Sequence, residues 1–319
     1  MMVSRRSFLA GMGAAGAAAA IPARATASCP FRVAVINDEI SQDFDHACYV
    51  AAHDFGLQWI ELRGMWNKNL TKLDAREVSE ARAILARYKL RVTDIASPLY
   101  KVDWPGAPIS KQSERRDQFH ADDEFRQQDA LLEHCIDLAK TFDTDRIRCF
   151  DFWRLDDVKP YRAEMNEVLR KAAKRCAKSK MILLLENEMS CNTATGAEAA
   201  ATLAAVTERN FMLNWDPGNA ATFPDSDPYP KGYDLLPKRR IGHCHAKSVV
   251  REPGGKWQWA PVGQGVVDWV GQLRALDGDG YHYAISLETH WRGAGTPEAS
   301  SRVSMQGLKD ALTSAGTGC

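Results

Sequence analysis

Met181-Ile-Leu-Leu-Leu-Glu-Asn-Glu188 is the stretch from which the fold can be read. Its five consecutive apolar residues mark a strand buried on both faces, as parallel sheets require. The run then ends in acid. A carboxylate where a buried strand surfaces is costly unless something compensates it. Three later segments repeat the pattern: Phe211-Met-Leu-Asn-Trp-Asp216, Ile241-Gly-His-Cys-His245 and Tyr283-Ala-Ile-Ser-Leu-Glu288. Each is a strand-like run that closes on a side chain able to bind a metal.

Outward from these runs, strand and helix patterns alternate along the chain. Strands are expected at 32–40, 59–63, 91–98, 146–153, 181–188, 211–216, 241–248 and 283–288. Helices are expected at 44–55, 75–88, 122–141, 160–178, 196–207, near Tyr233, at 267–276 and at 298–311. A long polar loop with Pro105, Gly106 and Pro108 follows the third strand. No linker and no internal repeat interrupts the alternation. Strict alternation implies a parallel sheet, and eight units predict closure into a (β/α)8 TIM barrel of class α/β, one domain over 28–319. A doubly wound open sheet is the alternative, but no G-x-G-x-x-G follows any strand and there is no P-loop.

The first residues stand outside this domain. Ser4-Arg5-Arg6-Ser7-Phe8-Leu9 is a twin-arginine signature, followed by a small-residue apolar run from Ala10 to Ile21 and by Ala25-Thr26-Ala27 as a cleavage site. Residues 1–27 therefore read as a Tat export signal, removed near Ser28, and the mature chain is expected in the periplasm. The apolar run is short of the ~20 residues of a membrane span, so no span is expected after signal removal. Thr26 stands where a lipobox wants Leu, against lipidation of Cys29.

The 41 Lys and Arg balance 41 Asp and Glu, with no basic run beyond Lys238-Arg239-Arg240, so nucleic acid and anionic membranes are not expected partners. The eight cysteines show no C-x-x-C and no zinc spacing. Cys48, Cys135, Cys149, Cys176 and Cys244 fall in apolar-periodic segments and read as core thiols, and no disulfide is expected.

In a TIM barrel the active site lies at the C-terminal strand ends, and residues two apart share a face. If Glu186 points inward, so do Leu184 and Ile182. If His245 does, so do His243 below it and Lys247 above it. Three carboxylates and an imidazole then converge on the barrel mouth. Left alone, the carboxylates would repel one another and take up protons. A divalent cation resolves this, and three oxygen donors with one nitrogen suit Mn²⁺ best, with Mg²⁺, Co²⁺ or Zn²⁺ open. Tat export moves folded proteins, so a barrel that folds in the cytoplasm can enclose Mn²⁺ before it meets tighter-binding competitors.

The sequence resembles the xylose-isomerase-like TIM barrels, also called the sugar phosphate isomerase/epimerase family, over the whole mature chain. The resemblance is carried by Leu185-Glu186-Asn187, Trp215-Asp216-Pro217-Gly218-Asn219, His243-Cys244-His245-Ala246-Lys247, Pro261-Val262-Gly263-Gln264-Gly265 before Asp268-Trp269, and Leu287-Glu288. It implies Glu186, Asp216, His245 and Glu288 as metal ligands, with Glu186 and Glu288 also acting as the base and acid of an isomerase or epimerase that passes through a metal-stabilised enediolate. It is specific for fold and metal and weak for substrate. The chain departs from the family's ketose 3-epimerases. Asn219 stands where they have His, and where they follow the metal His with Gly-Glu this chain has Lys247, as in the family's His-x-Lys-Asp subgroup, but with Ser248 for Asp. Arg251 matches their substrate arginine.

A small-molecule sugar or keto-sugar is the expected partner, and homo-oligomerisation is left open. An unphosphorylated substrate is favoured, because phosphorylated sugars are scarce outside the cytoplasm and the sequence has no Gly-rich phosphate cradle. Lys247 can bind a hydroxyl, stabilise an enolate or act as an acid, and Asn219 can hydrogen-bond a hydroxyl. Glu61 and Arg63 share the inward face of the second strand, as a buried ion pair or as sugar contacts. Glu39, at the end of the first strand, reads similarly. Trp66, Trp153 and Trp291 stand beyond strand ends, where aromatic faces stack on sugar rings. His243 reads as a core histidine, and His120 lies in the long third loop. A lyase or dehydratase expelling a β-leaving group is the alternative enzyme. A non-catalytic periplasmic sugar-binding protein is the alternative from another class. Phosphodiester cleavage would need extra His and Glu ligands and a basic face, which this chain lacks.

Overall fold

The computed structural model describes residues 29–110, 124–223 and 226–319. The expected signal peptide and His120 lie outside the described residues. Eight parallel strands form one sheet: β1 Arg32–Val35, β2 Trp59–Leu62, β3 Arg91–Ile95, β4 Arg146–Cys149, β5 Ile182–Glu186, β6 Phe211–Trp215, β7 Ile241–Ala246 and β8 Ala284–Leu287. Their spatial order is β1-β8-β7-β6-β5-β4-β3-β2, and a parallel bridge between Ile36 and Glu61 brings β2 back to β1. The sheet is thus a nearly closed (β/α)8 barrel. Helices follow the strands: α1 Phe44–Tyr49, α2 Ala75–Tyr88, α3 Gln128–Thr141, α4 Arg162–Lys178, α5 Gly196–Ala205, α6 Pro217–Ala220, α7 Trp269–Gly278 and α8 Pro297–Ala315.

The alternation of side chains on each strand decides what faces where. Leu183 and Leu185 of β5 join the core beneath the helices, with Phe211, Leu213 and Trp215 of β6 and Cys244 and Ala246 of β7. The intervening residues turn inward. On β7 the register slips: Leu213 pairs with Ile241, but Asn214 pairs with His243. Gly242 occupies the slip, and a Cβ there would stand 2.8 Å from Leu184 Cδ2. A side chain there would crowd Leu184 and Met212, and beyond Gly242 the residues His243, His245 and Lys247 line the interior.

Two short hairpins extend the barrel beyond the expected pattern. Gly64–Met65 pairs with Lys68–Asn69 after β2, and Ser248–Arg251 pairs with Trp257–Ala260 after β7. The first strand is also shorter than expected. After Ile36 the chain curls into a 3-10 turn, Asn37–Glu39. The Asn37 side chain holds the turn, donating to Gly64 O and accepting from Arg63 N at 3.0 Å. The curl places Asp38 and Glu39 at the barrel mouth instead of extending them along a strand.

The expectation of no disulfide is overturned. Cys29 and Cys319 are bonded, with Cα atoms 4.4 Å apart, and 290 residues separate them in sequence. The pairing follows from closure: β1 lies beside β8, and α8 runs back from β8 toward the start of β1. Cys48, Cys135, Cys149, Cys176 and Cys244 are buried as expected, as is Cys191. Reduction should cost roughly 2–5 kcal/mol of stability. Thermal unfolding should show wild type losing several degrees on addition of dithiothreitol. Cys29→Ser should start at the lower midpoint and not respond to the reductant.

Candidate metal centre

Glu186 ends β5, and Asp216 follows β6 as the N-cap of α6. His245 lies near the end of β7, and Glu288 follows β8. Their ligand atoms all lie within 4.8 Å of one another, and all four residues are buried. His245 Nδ1 sits at the middle, 3.2 Å from Glu186 Oε1, 3.2 Å from Glu288 Oε2 and 3.8 Å from Asp216 Oδ2.

Local sequence explains the convergence. Asp216 Oδ1 accepts from the Asn219 amide at 2.8 Å, which caps α6 and leaves Oδ2 for the centre. Pro217 opens the helix at the position that needs no N–H. Gly218 must lack a side chain, because a Cβ there would stand 2.7 Å from Lys247 Cβ. Asn187, between the two glutamates, binds Asp216 from both sides: its Oδ1 accepts from Asp216 N and its Nδ2 donates to Asp216 O, each at 2.7 Å.

Lys247 is no solvated strand-end lysine. It is fully buried, and its ammonium lies 2.9 Å from Asp216 Oδ2, 2.5 Å from Glu288 Oε2 and 3.1 Å from Asn219 Oδ1. Asn219 also donates to Glu186 Oε1 at 3.3 Å. The electrostatics are unequal around the cluster. Burial pushes Asp216 up to about 6, with Glu288 and Glu186 adding to the rise and Lys247 and His245 opposing it. For Glu186 burial also pushes upward, but His245 and Arg148 outweigh it and bring the group down to about 2. Glu288 is held well below the carboxylate range, because Lys247, His290 and His245 together overcome its burial.

The donor set fits a divalent cation. Glu186 Oε2, Asp216 Oδ2 and Glu288 Oε2 are enclosed and accept no hydrogen bond. Charged nitrogens of Arg148 and Lys247 lie 2.5–3.1 Å from these oxygens but out of hydrogen-bonding line. Three enclosed carboxylate oxygens beside one imidazole nitrogen are ligands for a fairly hard ion.

Glu61 differs from its expected role as a sugar contact. It lies fully buried beneath His245, its Oε1 3.0 Å from His245 Nε2. Burial pulls His245 down, but Glu61, Glu186 and Glu288 outweigh it and hold the imidazole protonated well above the usual histidine range. A divalent ion would take the place of the proton on Nδ1, with the Nε2 proton held by Glu61. Glu61 therefore orients the imidazole as a ligand, in the manner of carboxylate–histidine pairs at metal sites. Glu61→Gln should weaken divalent-ion affinity by about 10–100-fold with the fold intact, read by isothermal titration with Mn²⁺. Nor does Glu61 pair with Arg63, its neighbour on the same face. Arg63 Nε binds Asp38 at 3.0 Å, Nη2 binds Glu39 at 2.7 Å and Nη1 binds Glu288 at 2.5 Å. His243 is the expected core histidine, 3.0 Å from Asn214 Oδ1 and 3.1 Å from Asp94.

The other sequence candidates make contacts of their own. Arg251 turns its guanidinium to the carbonyls of Ala221, Phe223 and Ser226, bracing the hairpin after β7 to the segment after α6. Trp66 packs edge-on to Phe44. Trp153 clusters with Phe150 and Cys191, with the Lys101 ammonium 5.4 Å from its ring. Trp291, half-buried, follows the Glu288 strand end by three residues.

Three residues at the mouth were not singled out from sequence. Arg148 Nη1 lies 3.1 Å from Glu186, His290 Nε2 lies 3.2 Å from Glu288, and Trp259 covers Lys247. Two left a signal. Arg146-Ile-Arg148 alternates charge inside an otherwise apolar strand, and His290 stands two residues beyond Glu288, on the same face. Trp259 left none, since its hairpin was not foreseen.

A nearly closed parallel barrel whose last four strands deliver acid, acid, imidazole and acid to one mouth defines a TIM-barrel protein with a candidate metal site. A family model described as "Xylose isomerase-like TIM barrel" matches residues 49–311, and the chain belongs to that family. A twin-arginine translocation signal matches residues 2–22, which marks the chain for export across the cytoplasmic membrane to the periplasm. Among the described residues no helix is long and apolar enough to cross a membrane.

Solved structures share the fold. A xylose isomerase-like TIM barrel protein from Mycobacterium smegmatis in complex with magnesium is 16% identical, at TM-score 0.63, covering 92% of this chain and 100% of that one. The probable 3-DHS dehydratase AsbF of Bacillus anthracis is 21% identical, at TM-score 0.63, with coverages of 88% and 99%. D-psicose 3-epimerase from Clostridium cellulolyticum, solved with D-tagatose, is 14% identical, at TM-score 0.63, with coverages of 89% and 99%. No curated protein matches the chain by sequence at a significant level.

Proposed function

We propose that this protein is a divalent-metal-dependent isomerase or epimerase acting on an unphosphorylated sugar or keto-sugar in the periplasm. The observation that carries the reading is the set of Glu186, Asp216, His245 and Glu288 ligand atoms within 4.8 Å, with a buried lysine against two of them. Mn²⁺ is the ion proposed. When bound, it would polarise the sugar's carbonyl and stabilise the charge that develops on oxygen.

The chain's own residues supply the proton movements. Glu186 and Glu288 both approach His245 Nδ1 at 3.2 Å, from strands β5 and β8. A substrate seated between them meets one carboxylate on each side of the reacting carbon, one to remove its proton and one to return it. Lys247 presents an ammonium to a substrate oxygen, and Asn219 orients a hydroxyl. The enclosure of the cluster keeps water from the carbanion and strengthens each of these contacts.

A lyase or dehydratase is the second reading, favoured by the same ammonium. Lys247 is an acid already placed beside Glu288, where it could protonate a departing β-substituent. The dehydratase among the fold relatives supports keeping this reading.

Proton NMR in D₂O with a panel of keto-sugars and glycosides, with and without Mn²⁺, tests both. Deuterium incorporation with unchanged composition identifies isomerisation or epimerisation. Loss of water or aglycone identifies the lyase. A protein that binds Mn²⁺ and sugar yet exchanges no proton in any panel member is a sugar-binding protein, and both enzyme readings fail.

A further inference from the structure

Trp259 stands on the returning strand of the hairpin after β7, paired opposite Val249. The hairpin is absent from the expected strand–helix alternation, and its indole is placed on the candidate site. The Lys247 ammonium lies 5.1 Å from the centre of the Trp259 ring. The His290 imidazole meets the same indole edge to face, with centroids 5.2 Å apart. Trp257 packs on it at 4.9 Å and fixes it from the side. Lys247 and His290 are the groups that flank Glu288, at 2.5 Å and 3.2 Å. The indole thus roofs the ammonium, while the cluster below it is almost wholly enclosed, from 0% exposure at Asp216 and His245 to 3% at Glu288. Arg251, held by the carbonyls after α6, anchors the hairpin that carries the roof.

A flat apolar surface with two nitrogen donors beside it suits one kind of ligand. A closed sugar ring presents a face of C–H bonds that stacks on an aromatic ring, while its equatorial hydroxyls reach polar groups around the rim. An open-chain sugar has no such face.

Resting on the sugar-enzyme reading above, we propose that Trp259 is the stacking platform of the substrate site and restricts it to closed-ring sugars. The substrate class is then a keto-pyranoside, whose ring carries the carbonyl that the reaction needs, not an open-chain ketose. On binding, the ring face takes the place of the ammonium against the indole, and Lys247 turns to a ring hydroxyl or carbonyl oxygen. The reacting carbon is then a ring carbon next to a ring carbonyl.

The test uses methyl α- and β-D-glucopyranoside, which cannot open, and D-sorbitol, which cannot close. Each is titrated calorimetrically into the Mn²⁺-loaded and the metal-stripped exported protein, as wild type, Trp259→Phe and Trp259→Ala. The expected result is at least a tenfold preference of wild type for one or both ring-locked glycosides, with tryptophan emission perturbed on binding. The preference should be reduced in Trp259→Phe and lost in Trp259→Ala, with Mn²⁺ affinity unchanged in both. Equal or tighter binding of sorbitol, no binding of either glycoside by wild type, or an undiminished preference in Trp259→Ala each overturns the proposal. Mn²⁺ titration of the same preparations keeps the two claims apart. A wild type that binds no Mn²⁺ sinks the metal-enzyme reading, while the ring preference is still decided on the stripped protein.

Discussion

Asp216→Asn is expected to release the divalent ion and abolish turnover while the barrel remains folded. Asparagine keeps the oxygen that caps α6 through the Asn219 amide, so the local backbone has no reason to move. What changes is Oδ2, one of the enclosed oxygens that accept no hydrogen bond. An amide nitrogen there would face the Lys247 ammonium, now 2.9 Å away, donor against donor. The site loses a negative ligand and gains a group that cannot bind a cation. Loss of a ligand should exceed the 10–100-fold effect of a supporting residue, so affinity should fall by about a thousandfold or more. Elemental mass spectrometry after dialysis reads the metal, and circular dichroism reads the fold. A variant that keeps a full complement of ion and normal turnover would sink the metal assignment.

Lys247→Met should separate chemistry from metal binding. Methionine follows the stem of lysine but removes the ammonium between Asp216 and Glu288. With the ion present, its two charges still compensate the carboxylates, and affinity should hold or rise because one competing cation is gone. Turnover should fall by about 10²–10⁴-fold, the range for losing a positioned acid. Without the ion, two buried carboxylates lose their nearest cation, a change of roughly 3–5 kcal/mol. Chelator should therefore lower the unfolding midpoint of Lys247→Met far more than that of wild type. Equal sensitivity to chelator in the two proteins, or wild-type turnover in the variant, would contradict the role given to the ammonium.

The four residues that converge at the mouth are legible in the sequence because each sits at the end of a run whose composition demands burial. A charged residue closing such a run needs a partner, and four on successive strands can share one. The inward placement of Leu184, His243 and Lys247 followed from the two-residue period alone. Glu61 was placed on the correct inward face but given the wrong neighbour. Period tells which face a side chain takes, not its depth in the barrel or which side chain across the interior meets it. The shared inward face of Glu61 and Arg63 suggests an ion pair between them as readily as a pair of sugar contacts. In three dimensions Arg63 reaches three acids from two other segments.

Local sequence, then, determined the barrel, the inward faces of its last four strands and the identity of the residues at their ends, because burial and side-chain period are properties of short segments. The tertiary structure alone decided the pairings across the interior: Glu61 with His245, Arg148 with Glu186, Arg63 with Glu288, and Cys29 with Cys319. These depend on strand register and on closure of the sheet. A single slip at Gly242 sets which residues of β7 meet Asn214, and without it the inward and outward sets of side chains beyond that point would be exchanged. Trp259 belongs with the second group. Its place over Lys247 comes from a hairpin whose fold back onto the mouth no period in the sequence announces.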